Sequence, residues 1–184
     1  SEMCIRDSSI SHCRAAPMLF WSAWGDTIRL PNTPYSSSEL ESGFQSSALS
    51  TDLIVGFPGE TAADQDASLD FCQSMAFSRL HVFKYSPRPG TAAAAMPNPV
   101  APSIAHERSR EMIALGRALA LNFHKGLVGK EVRVLFEAGR SMGAHQVWDG
   151  LSDHYVRVRA RSEEDLHNNM ALVRCSSADG SGVW

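Results

Sequence analysis

Two short apolar runs, each closed by a glycine–proline turn and joined by one helical stretch, limit what this 184-residue chain can fold into. Leu53-Ile54-Val55 is continuous rather than alternating, and Gly56-Phe57-Pro58-Gly59 closes it, the pattern of a buried strand in a parallel sheet. Thr61 reads as a helix N-cap with Asp64 three residues on, a loose capping box. Ala67, Leu69, Phe71, Cys72 and Met75 then supply an apolar face through about residue 76. A second buried strand spans residues 80–85, with His81 expected as a satisfied core histidine, and ends in Ser86-Pro87-Arg88-Pro89-Gly90-Thr91. Strand, helix and strand in about 35 residues make a repeating unit of a parallel sheet.

Beyond an Ala/Pro-rich connector at residues 92–102, the spacing of Ile104, Met112, Ile113, Leu115, Leu119 and Phe123 predicts a long helix over 103–125, closed by Gly126 and Gly129. The pattern then changes. Val132, Val134 and Phe136 alternate with polar residues, as do Tyr155, Val156 and Val158 with Arg157, Arg159 and Arg161. Ala171-Leu172-Val173 adds another run, and Gly139, Gly143 and Gly150 read as punctuation. The expectation is a small antiparallel β-barrel with its boundary near residue 127. Residues 1–47 show neither a period of 2 nor one of 3.6, and order is expected to begin at Ala48.

The net charge of −3 gives no global basic field, but the charge is uneven. Residues 1–105 hold 6 Lys/Arg against 10 Asp/Glu, whereas residues 106–184 hold 11 against 10 and five of the seven histidines. A polyanion contact therefore belongs in the second half. Cys4, Cys13, Cys72 and Cys175 show no zinc or iron–sulfur ligand spacing, so the thiols read as buried groups in a reducing compartment. With no long apolar stretch and no leader pattern, no membrane contact is expected and the cytoplasm is the expected location.

Three stretches together resemble one family, the radical S-adenosylmethionine methylthiotransferases. Residues 51–61, Thr51 through Gly56-Phe57-Pro58-Gly59-Glu60-Thr61, are similar to the fifth strand and turn of its radical domain. Residues 77–91, from Phe77-Ser78-Arg79-Leu80-His81-Val82-Phe83 onward, are similar to the sixth strand and its loop. Residues 150–158 are similar to part of the TRAM domain that ends these enzymes. The Phe77–Phe83 run and the Tyr155 segment look most like the MtaB branch. That resemblance implies an α/β chain: the C-terminal portion of a partial TIM-like radical domain at 48–126, followed by an RNA-binding TRAM barrel at 127–184. It implies methylthiolation at C2 of N6-threonylcarbamoyladenosine, with the tRNA anticodon stem-loop as partner. It also implies S-adenosylmethionine and two 4Fe-4S clusters, one of which cleaves the cofactor to a 5′-deoxyadenosyl radical.

The chemistry is coherent, because an aromatic C–H bond does not yield to acid–base catalysis near neutral pH and a cofactor must carry the hard step. The candidate cofactor-binding residues are Asp52, Gly56, Gly59, Tyr85, Ser86 and Arg88 at the strand ends. The candidate RNA-binding residues are Lys130, Arg157, Arg159 and Arg161, three of them on one face of a strand. The chain departs from the family in one decisive respect. The radical cluster needs Cys-x-x-x-Cys-x-x-Cys and a second cysteine trio, and neither occurs in the sequence. The chain is thus expected to be inert alone, a truncated enzyme; the alternative is a stand-alone RNA-binding module.

The stretch before Ala48 also departs. Trp24-Gly25-Asp26-Thr27-Ile28-Arg29 can be written TGG GGA GAC ACT ATA CGC. Preceded by A, those bases read Met-Gly-Arg-His-Tyr-Thr, the end of a stretch that family members carry at this point. Residues from about 9 to about 45 are therefore expected to be out of frame, non-native and poorly ordered.

Overall fold

The structure, a computed structural model, describes residues 48–142 and 145–184. The out-of-frame reading of residues 1–47 lies outside the described residues. β1 (Ser50–Val55) and β2 (Arg79–Lys84) pair in parallel, Ser50 opposite Arg79 and Val55 opposite Lys84. Between them runs α1 (Ala62–Ser74), and the capping box read from the sequence is present. Asp64 N–H donates to Thr61 Oγ1 at 3.2 Å while Thr61 N–H donates to the Asp64 carboxylate at 2.8 Å. The Thr61 N–H, and after it the Thr61 hydroxyl at 2.7 Å, donate to the Asp64 carboxylate and hold it below its ordinary value. A 3-10 turn (Ala92–Ala95) leads to α2 (Pro102–Leu127), 26 residues and about 39 Å long. Pro102 at its first turn suits a proline, and Gly126 lies inside the helix rather than closing it.

The second half is a curled six-stranded sheet, mixed rather than purely antiparallel. Its strands are β3 (Glu131–Met142), β4 (His145–Ser152), β5 (Arg157–Arg161), β6 (Met170–Arg174), β7 (Ala178–Asp179) and β8 (Gly182–Val183). Their order is β6-β3-β4-β5-β8-β7, with neighbours antiparallel except β5 and β8, which meet in parallel at Val158 and Val183. The two edge strands, β6 and β7, are nearly consecutive in the chain, which requires the sheet to bend round on itself. Inside the bend lie Val132, Val134, Phe136, Trp148, Val158 and Val183, with Leu127 of α2 packed among them. A separate core of Cys72, Phe77 and Met112 joins α1 and α2 beneath the first sheet.

Three sequence expectations change. Gly139 and Gly150 do not mark turns: they lie within β3 and β4, where an added Cβ at Gly150 would stand 2.5 Å from Leu135 O. The strands cross too closely there for a side chain, beside the bulge between Phe136 and Ala138. Tyr155 is not a strand residue but sits in the turn before β5 with φ of 55°. The first two strands are buried on one face only. Asp52, Ile54, His81 and Phe83 point the other way, with Ile54 49% and Phe83 54% exposed, so His81 is not a core histidine. A two-stranded parallel sheet with an apolar open face is not a self-sufficient unit.

Candidate functional site

At the C-terminal end of β1 the chain turns through Gly56-Phe57-Pro58-Gly59, and Glu60 ties the turn down. Its carboxylate accepts the Gly56 N–H and pairs with Arg108 Nη1 of α2 at 2.8 Å. The same Nη1 donates to Glu60 O at 3.1 Å. Both side chains are nearly buried, 6% and 11% exposed, and neither was singled out from sequence, because Arg108 lies 48 residues away along the chain. Gly56 has φ of 75°, and a Cβ there would stand 2.5 Å from Ala105 Cβ, so its freedom serves close packing of turn on helix. Gly59 differs: nothing lies within 4 Å of the place its Cβ would occupy, although its N–H is held by Asn98 O at 2.8 Å.

The end of β2 stands beside this turn. Tyr85 N–H donates to Val55 O at 2.8 Å, and its ring meets Phe57 edge-on at 4.9 Å. The Tyr85 hydroxyl is buried without a partner among the described residues, an orphan that a polar ligand at the strand ends would satisfy. Ser86 and Arg88 are exposed on the loop, and Arg88 O accepts from the Thr91 hydroxyl at 2.8 Å. Asp52 is exposed three residues before the strand end, opposite His81. The structure thus brings Gly56, Gly59, Tyr85, Ser86 and Arg88 to one end of the small sheet, with Asp52 on its open face.

The arginine row of β5 is divided by its surroundings. Arg159 is committed within the fold: its Nη2 donates to Asp179 at 2.8 Å and to Ser181 Oγ at 2.6 Å, and its guanidinium lies 4.7 Å from the centre of the Trp184 ring. Arg161 lies 5.9 Å from the same ring. Together with Arg174, Ser176 and Ser177 these residues line a groove of about 550 Å³. A groove with three guanidiniums and an indole can take phosphates and an aromatic ring. Arg157, exposed, faces a different cleft, and Lys130 stands apart in the turn before β3. Among the described residues neither Arg157 nor Arg161 has an ion-pair partner, whereas Arg174 faces Glu131 at 3.7 Å.

Asp179 anchors this arrangement. Bonds from the Ser181 side chain and backbone, and then the pair with Arg159, depress its carboxyl to about 2. A depressed carboxylate stabilises the fold above its ordinary value of 3.8, and that contribution is lost as pH falls through about 2. The expected result is a carbon-13 titration of the Asp179 carboxyl with its midpoint near 2, moved upward by Ser181→Ala. A midpoint at the ordinary value in the unsubstituted protein would show that these bonds do not persist in solution.

Iron–sulfur ligation does not fit the described residues. Cys72 and Cys175 are buried in separate cores, and burial pushes both thiols up, Cys72 to about 11. Among the described residues no group of three His, Cys, Asp or Glu side chains could hold a metal ion. No described helix is long and apolar enough to cross a membrane.

No family model matches the chain. Individual proteins do. Over 102 residues the chain is 41% identical to a tRNA-2-methylthio-N(6)-dimethylallyladenosine synthase of Tropheryma whipplei, covering 55% of this chain and 22% of that protein. It is 45% identical over 121 residues to the ribosomal protein uS12 methylthiotransferase RimO of Syntrophobacter fumaroxidans, covering 66% and 26%. It is 38% identical over 110 residues to the threonylcarbamoyladenosine tRNA methylthiotransferase MtaB of Thermotoga maritima, covering 60% and 25%. The chain's relatives are thus methylthiotransferases, of which it spans about a quarter of the length. All three branches match at comparable identity, so similarity to the MtaB branch is not singled out.

Proposed function

We propose that residues 48–184 are the C-terminal part of a radical S-adenosylmethionine methylthiotransferase that acts on tRNA in the cytoplasm, and that its branch is MtaB. The observation that carries the methylthiotransferase reading is identity of 38–45% to three kinds of methylthiotransferase over more than half of this chain; the MtaB branch rests on the resemblance of the Phe77–Phe83 run and the Tyr155 segment. In this reading residues 48–126 close a cofactor-holding barrel and residues 127–184 form an RNA-binding TRAM cap. The open face of β1 and β2, with Ile54 and Phe83 exposed, is what a missing barrel wall would leave behind.

Bound S-adenosylmethionine would supply the radical chemistry that an aromatic C–H bond demands. On this chain the Tyr85 hydroxyl would gain the partner it lacks, the backbone at Gly59 is open to close approach, and Ser86 and Arg88 could meet a carboxylate or phosphate. Gly56 would act indirectly, by seating the turn on α2, and Asp52 would face the barrel interior. Arg161, with Arg174 and Trp184, would contact the anticodon stem-loop, while Arg159 holds Trp184 in place. Lys130 would add a peripheral phosphate contact. The cluster cysteines would have to stand on a longer protein, because none of the described residues can serve.

The test is mass spectrometry of tRNA nucleosides after deletion of the complete gene. Loss of the methylthiolated threonylcarbamoyl nucleoside is expected. Unchanged levels of it, with loss of the methylthiolated isopentenyl nucleoside, would move the assignment to the dimethylallyladenosine branch; no change in either would refute the tRNA reading.

A further inference from the structure

A second cleft, of about 620 Å³, opens where β2 and α2 face the turn before β5. Its lining is one-sided in charge. Arg79, Arg117, Arg157, His124 and His154 line it, His81 borders it with its side chain on the open face of the sheet, and no Asp or Glu is among its lining residues. In a chain of net charge −3 that is a local reversal of sign, and such a cleft concentrates anions. Acids lie just outside it: the Asp179 carboxylate accepts from the hydroxyl of Ser181, a lining residue. Asp153 Oδ1 lies 3.1 Å from His154 Nδ1, although the angle makes no hydrogen bond, and Asp52 is the strand partner of His81. His124 Nδ1 is 2.8 Å from Asp179 O, so Nδ1 carries the proton and donates it.

At the mouth of the cleft stands Tyr155, 72% exposed and in the left-handed backbone region at φ of 55°. A bulky residue adopts that conformation only when its surroundings enforce it. Here Tyr155 N–H donates to Ser152 O at 2.9 Å, and Arg79 Nη2 donates to Tyr155 O at 2.9 Å. Ser152 Oγ also accepts from the N–H groups of His154 and Val156 at 3.3 and 3.2 Å. The backbone that carries this exposed ring is thereby fixed at a cleft lined by three arginines, a combination that can stack an unpaired base and grip its phosphate.

We propose that this cleft holds one unstacked nucleotide of a single-stranded RNA segment, its base on Tyr155 and its phosphate between Arg117 and Arg157. The inference rests on the tRNA reading above and adds a contact surface distinct from the Trp184 groove. A volume of about 620 Å³ suits a nucleotide and not a duplex. Arg79, bonded to the turn, is a positioning residue that keeps Tyr155 presented.

The test is fluorescence anisotropy of the full chain with an unmodified tRNA transcript, across a range of salt. Tyr155→Ala is expected to weaken binding about tenfold and Tyr155→Phe to retain it. Arg117→Ala combined with Arg157→Ala is expected to reduce the slope of log affinity on log salt by about 0.7, the value for one phosphate contact on a single strand. Arg110→Ala, an exposed helix position outside the cleft, is expected to leave the slope unchanged. Arg117→Ala alone, remote from the strained turn, keeps the result independent of whether that turn tolerates alanine. If the transcript binds but the cleft variants match the unsubstituted chain, or Arg110→Ala lowers the slope equally, the cleft proposal is wrong and the tRNA reading stands. If the unsubstituted chain does not bind the transcript, the cleft proposal is wrong, and the tRNA reading is decided by the nucleoside analysis above.

Discussion

Glu60→Ala is expected to destabilise the chain by about 3–5 kcal/mol, seen as a lowered denaturant midpoint at nearly unchanged slope. The reason lies in what the substitution leaves behind. Arg108 is 11% exposed and its Nη1 is bonded to both the Glu60 carboxylate and the Glu60 carbonyl, so removing the carboxylate strands a cation away from water. The Gly56 N–H loses its acceptor at the same time. Each lost partner leaves a desolvated group with no compensation, which costs more than the intact pair contributes.

A second variant separates burial of an unpaired charge from loss of packing. Glu60→Leu with Arg108→Met replaces both charges by apolar groups of similar reach, and is expected to recover more than half of the loss. If Glu60→Ala costs less than about 1 kcal/mol, the pair behaves as a solvated surface bridge and the turn is held by its backbone alone. The outcome bears on function, because the pair fixes the turn that carries Gly59 next to the Tyr85 hydroxyl. A turn that swings free cannot present a preorganised ligand site.

What the sequence made legible was what is local. The Thr61–Asp64 capping box spans three residues, and the parallel strands announced themselves as short apolar runs with glycine–proline ends. What it concealed was non-local. Nothing in Leu53-Ile54-Val55 says that one face lacks a neighbour, since an apolar run looks the same whether or not its partner strands are present. Gly150 reads as a turn until β3 is laid across β4 and Leu135 O is found against it. Three arginines at alternate positions look equivalent until Asp179, 20 residues on, claims Arg159. The methylthiotransferase reading came from likeness to a family, because no residue pattern in this chain by itself encodes methylthio transfer. Part of the signal for the basic cleft lay in the histidines and arginines after residue 105, yet only the fold brings Arg117, His124, His154 and Arg157 together with Arg79 of β2.

Phe136→Ala is expected to cost about 3–5 kcal/mol, and to loosen more than the sheet it belongs to. Phe136 has no exposed surface and lies in one core with Val134, Trp148, Val158 and Val183. Its backbone extends the ladder beyond β6, donating to Asn169 O at 3.0 Å and accepting from Asn168 N–H at 2.8 Å. These bonds hold the neighbouring backbone in place, so the cavity left by alanine collapses little and the cost lies toward the upper end. The same core contains Leu127 at the end of α2, and His124 one turn earlier is bonded to Asp179 O. Met112, fifteen residues before Leu127 on the same helix, is fully buried in the other core. One continuous helix thus carries anchor residues for both layers, and loosening either end lowers the stability of what the other end holds. Hydrogen exchange is the measurement. Amides of β1 and β2 are expected to lose protection in Phe136→Ala along with those of β3 and β4, in a single unfolding transition. If protection of β1 and β2 is unchanged while the curled sheet opens, the helix does not couple the two cores, and each half is a separate cooperative unit.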